Sequence, residues 1–94
     1  MLIGVHVTDE ATYQIYRDGM NPLLEKYGGS IGYDFQIVEV LKSVTDMPIT
    51  RLFTIYFPDK DTKNKFFADV TYVKLRADYF EKSGTAVILA SYDR

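Results

Sequence analysis

Of the residues able to do chemistry in this 94-residue chain, His6 is the only imidazole and there is no Cys at all. A His can act as a general base or contact a ligand, but nucleophilic catalysis also needs a partner group that it activates. No such partner stands out, so a partly buried His6 hydrogen-bonded to a Tyr or a carboxylate is the plainer reading. Asp34, beside Tyr33, is a candidate to orient His6. Arg51 opens an apolar segment, and its guanidinium fork suits a carboxylate ligand; a surface acid would satisfy it as well. Tyr72 and Arg76 are one helical turn apart and could equally form a solvated helix flank. These five residues, His6, Tyr33, Asp34, Arg51 and Tyr72, are the candidate ligand-binding set, and no catalytic residue is assigned.

Other chemistries lack their residues. Zinc needs a Cys/His cluster, and one His with no Cys gives none. Gly28-Gly29 follows a helix and precedes a strand, the reverse of a phosphate-binding loop. Eleven basic and thirteen acidic residues, net −2, suit nucleic acid poorly. Arg51–Phe57 has aromatics but lacks the motif of an RNA-reading strand. Val7–Ala11 lacks the Arg-containing loop of acylphosphatases. No cofactor, metal, nucleic acid or membrane is therefore expected as a partner.

The elements that position these residues follow from periodicity. Residues 2–8 form a first strand, and Thr8-Asp9-Glu10 starts a helix. Along that helix Tyr13, Tyr16, Met20, Leu23 or Leu24, and Tyr27 make an apolar stripe, with a kink expected near Asp18–Pro22. Gly28-Gly29 ends it, the first glycine left-handed. A second strand falls within Ser30–Leu41, where a shift in alternation suggests a bulge. Lys42–Ile49 is a polar turn, and Arg51–Phe57 is the clearest strand. Asp59 caps a second helix with Phe66, Val70, Val73, Ala77 and Phe80 on one face, and Asp69 re-caps it midway. Ser83-Gly84 ends it before a last strand, Thr85–Ser91.

The order is βαββαβ, an α+β, ferredoxin-like arrangement of four antiparallel strands with two helices on one face. Residues 1–94 make one domain, too small for two cores. The strands at Leu52–Phe57 and Ala86–Ala90 are apolar on both parities, which calls for cover on both faces. A second copy of the chain is the economical cover, giving a homodimer. The chain has no apolar run near the roughly 20 residues of a membrane span. Its start lacks a signal peptide's basic region, and the missing Cys fits a reducing compartment, so a cytoplasmic location is expected.

Tyr13, Tyr16 and Pro22-Leu23-Leu24-Glu25-Lys26-Tyr27-Gly28-Gly29 on the first helix, with Pro48, Arg51, Phe57-Pro58-Asp59, Asp69 and Tyr72, resemble the domain-of-unknown-function family numbered thirteen-thirty. The resemblance covers nearly the whole chain and implies a dimeric α/β barrel, without implying a reaction. Relatives typically carry Arg where this chain has Asp34 and Tyr79. If those arginines bind an anion, the site is lost or changed here, and Arg76 is the local substitute. Two functions fit: a dimeric domain binding a small, partly apolar molecule, or a cofactor-independent enzyme resembling the monooxygenases and isomerases of the wider superfamily.

Overall fold

A computed structural model describes residues 1–91. The chain runs β1 (Leu2–Val7), α1 (Glu10–Lys26), β2 (Ser30–Gln36), β3 (Arg51–Tyr56), α2 (Lys60–Ala68), α3 (Val70–Leu75) and β4 (Gly84–Ala90). Between α3 and β4 the helix continues through a π-helical turn, Arg76–Phe80, and a last α-turn, Glu81–Ser83. The sheet order is β2-β3-β1-β4 with every neighbour antiparallel, the ferredoxin-like topology expected.

Strand alternation sorts the two faces. Ile3, Val5, Phe53 and Ile55 are buried against the helices. Gly4 pairs with Leu52 and Val87, and His6 with Thr85, so these three cross-strand partners lie with Gly4 and His6 on the other, outer face. From the helical side, Tyr13, Tyr16, Met20, Leu24, Phe66, Tyr72 and Phe80 complete the core. Phe66 is its centre, fully buried, with ring centroids of Tyr72, Phe67 and Phe57 at 4.7, 5.1 and 5.4 Å.

Helix α1 starts where expected, with Asp9 accepting from the Thr12 amide, and it passes unbroken through Pro22. Gly28 follows it at φ 74°, a conformation that a side chain disfavours. Strand β2 lies within the expected Ser30–Leu41 but ends at Gln36, and its register shift falls between Ile31 and Asp34, ahead of the switch in alternation at Val38 that suggested a bulge. Residues 37–50 form instead a loop pinned by Ile37 N–H to the Thr50 carbonyl and Thr50 N–H to the Val5 carbonyl. The apolar character of Val38 therefore marks an exposed loop residue, 98% accessible, and not a second strand face.

The second helical region corrects another expectation. Val70 and Val73 are exposed, and the buried residues are Phe66, Tyr72 and Phe80. The cause is Asp69, which closes α2 and caps α3 in an extended conformation (φ −61°, ψ 132°). That break resets the helical phase, so Val70, Val73 and Ala77 of the expected stripe point outward while Tyr72 points in.

Asp69 accepts hydrogen bonds from the Thr71 amide (2.8 Å) and the Tyr27 hydroxyl (2.6 Å). The Tyr27 hydrogen bond, then the Thr71 amide, holds its carboxyl below the ordinary 3.8. Thr12 does the same for the Asp9 cap and Thr62 for the Asp59 cap. A carboxylate whose folded pKa is depressed stabilises the fold above its unfolded pKa and ceases to as pH falls through the folded value. The denaturation midpoint should thus fall as pH drops below about 4. Asp69→Ala should lower the midpoint at neutral pH and lose less of it on acidification; an acid slope equal to that of the unaltered protein would contradict this.

Candidate functional site

A cavity of about 320 Å³ lies between the sheet and the helices. The sheet supplies Ile3, Phe53, Ile55 and Ile88; the helices supply Tyr16, Tyr72 and Phe80, with Arg76 on its wall. Ala86, small and on edge strand β4, leaves room opposite the helices. The π-helical turn places Arg76 and Phe80 on this wall, their guanidinium carbon and ring centroid 5.9 Å apart. Such turns recur at functional sites because an extra residue per turn re-aims side chains.

Inside, the Tyr16 and Tyr72 hydroxyls hydrogen-bond each other at 3.0 Å, and both residues are buried. Burial, with the Tyr72 hydroxyl added to it, pushes the Tyr16 pKa far above its ordinary 10, so Tyr16 keeps its proton. Two hydroxyls sharing one hydrogen bond leave one O–H to donate elsewhere. The cavity thus offers apolar walls, a buried hydroxyl donor and the Arg76 guanidinium, with the Met1 ammonium held nearby by the Ile55 carbonyl.

Beside it on the helix-facing side lies an ion cluster that the sequence reading missed in part. Arg17 is only 4% exposed. It donates to Tyr13 Oη (3.0 Å) and Asp34 Oδ2 (2.8 Å), and its guanidinium sits 4.5 Å from the Phe53 ring centroid. Arg51 donates to both Asp34 oxygens at 3.1 Å and lies 3.9 Å from Glu10. Burial raises the Tyr13 pKa against the pull of Arg17. Arg17 was legible as the one charge inside the stripe of Tyr13, Tyr16 and Met20, four residues after Tyr13.

The candidate residues separate. Asp34, bound to Arg17 and Arg51, faces the helices, whereas His6 is on the outer face. Asp34 therefore does not orient His6. Instead His6 Nδ1–H donates to the Pro48 carbonyl at 2.8 Å, within a smaller cleft of about 160 Å³ under the 37–50 loop. Ile49 sits over Gly4 there, so close that a Cβ on Gly4 would lie 2.7 Å from it. Tyr33 is exposed on the outer face, stacked on Phe35 at 5.8 Å. Tyr72 alone of the five lines the large cavity, and it is buried there, not on a solvated flank. Among the described residues no three His, Cys, Asp or Glu side chains gather as metal ligands, and no helix is long and apolar enough to cross a membrane.

This geometry can be set beside known proteins. The family model described as "Domain of unknown function (DUF1330)" matches residues 1–91. The chain belongs to that family. No curated protein matches it. Among solved structures, a DUF1330 chain such as this one is similar to the crystal structure of a protein of unknown function from Rhodopseudomonas palustris. The two share 14% identity over 97% of this chain and 81% of that one, with a TM-score of 0.68. At that identity the likeness is one of fold.

Proposed function

We propose that this DUF1330 domain works as a homodimer in the cytoplasm and binds a small, partly apolar molecule between its sheet and its helices. The cavity carries the reading. Its volume lies at the lower end of the range for ligand sites, and its composition, apolar walls with a few polar groups, is theirs. An enzyme would need a base in that cleft. The polar side chains lining it are a Tyr hydroxyl pair and a guanidinium, which suit holding and orienting a ligand.

The dimer is supported by the outer face. Tyr33, Phe35 and Tyr56 are 60, 50 and 50% exposed, and on the adjoining loop Val38, Leu41 and Val44 exceed 90%. So many exposed large apolar side chains are unusual for a lone chain, and a second sheet would cover those on the strands.

Calorimetric titration with phenylbutanol, a neutral and partly apolar probe, tests the cavity. Saturable one-to-one binding is expected. Ala86→Phe, which fills the space, should weaken it by about tenfold or more. Equal binding by that variant, or no saturable binding by the unaltered protein, would overturn the reading.

A further inference from the structure

We propose that the ligand of this cavity is an apolar monocarboxylate, its acid group on Arg76 and its hydrocarbon body against Phe53, Phe80 and Ile88. The inference rests on the cavity being a ligand site and adds the class of ligand. Three arginines serve this side of the sheet, and they differ in one respect. Arg17 and Arg51 share Asp34, and Arg51 also faces Glu10 at 3.9 Å. Arg76, among the described residues, has no carboxylate partner, and the ring of Phe80 is its neighbour.

Position and chemistry then select the ligand. Arg76 is exposed while the rest of the helical wall, Tyr16, Tyr72 and Phe80, is buried. Its charge is therefore at the mouth. Its field still reaches inward, since it favours ionisation of the Tyr16 hydroxyl, although burial outweighs it. A guanidinium presents parallel N–H donors that match a carboxylate's two oxygens. At the mouth that pairing forms without stripping the acid of all its water, so little desolvation opposes it. Behind the mouth, Phe53 and the Phe80 ring accept only hydrocarbon, and the exposed Ile88 adds an apolar rim. The one guanidinium on this apolar wall thus fits one acid group on an apolar body, while the Met1 ammonium at the same cavity donates to the Ile55 carbonyl at 2.9 Å. A phosphate ester fits that one guanidinium less well, because the group brings nearly two charges.

The test compares phenylbutanoate with phenylbutanol at neutral pH by calorimetric titration, in the unaltered protein, Arg76→Met and Arg76→Lys. The acid should bind the unaltered protein about tenfold more tightly than the alcohol. Arg76→Met should abolish that preference, so that the acid binds no more tightly than the alcohol to the same variant, and Arg76→Lys should keep part of it. Equal affinities for the two probes, or a preference that survives in Arg76→Met, would overturn the carboxylate assignment while the cavity reading stood. If neither probe binds, both fall. The comparison of probes on the unaltered protein needs no variant, so it decides the question even if Arg76→Met folds poorly.

Discussion

Asp34→Ala should lower the unfolding free energy by about 2 kcal/mol, well beyond an ordinary surface truncation. The reason is the guanidinium it abandons. Arg17 is buried on helix α1, and among the described residues Asp34 is its only carboxylate at hydrogen-bonding distance. Breaking a buried pair from one side leaves an uncompensated charge, costing roughly 3–5 kcal/mol in a dry interior. Here the Tyr13 hydroxyl and the Phe53 ring remain, and Asp34 keeps about a third of its side chain in water, so the lower figure applies. Arg17→Met is expected to cost less, because Asp34 then keeps Arg51. The double variant should recover part of the loss, giving a coupling energy of about 1 kcal/mol. Chemical denaturation of the four proteins decides it. Strict additivity, or an Asp34→Ala midpoint equal to that of the unaltered protein, would refute the role.

The second large effect concerns assembly. The unaltered chain should run at twice the monomer mass in light scattering at micromolar concentration. Phe35→Asp combined with Tyr33→Asp should convert it to monomer. These rings stack on each other on outer strand β2, half exposed or more, and do not belong to the helix-side core. Two carboxylates there would be desolvated without partners if a second sheet packed on them, a cost of several kcal/mol per ion. Circular dichroism should show the fold intact, since the helix-side core is untouched. A monomer mass for the unaltered chain, or a dimer that survives both substitutions, would contradict the outer face as the interface.

Much of the fold was legible because it is written in short-range patterns. Asp9, Asp59 and Asp69 announce helix starts by type, and Gly28 announces the left-handed stop. The βαββαβ order then follows from element spacing. What escaped was geometry set by one residue acting on the next. Asp69 was readable as a cap. That its extended backbone would turn Val70 and Val73 outward was not, because periodicity assumes one unbroken helix. The π-helical turn at Arg76–Phe80 left no mark, since a π turn differs from an α-turn by hydrogen bonding and not by residue type.

The site was less legible for a related reason. His6 and Asp34 looked like partners because both are polar residues on apolar strands, but β3 lies between those two strands. Facing is fixed by register, and the bulge between Ile31 and Asp34 decides which side of the sheet Asp34 meets. Tyr16 and Tyr72 lie 56 residues apart, and only the packing of α1 against α3 brings their hydroxyls together. Arg17 could have been found by treating a charge inside an apolar stripe as a demand for a buried acid, which Asp34 supplies.

The cavity as a ligand site is tested most directly by nuclear Overhauser contacts from bound phenylbutanol to protein with labelled tyrosines. Contacts to the rings of Tyr16 and Tyr72, with none to the outer-face rings of Tyr33 and Tyr56, are the predicted result. Contacts confined to Tyr33 and Tyr56, or none to any ring at saturating probe, would contradict it.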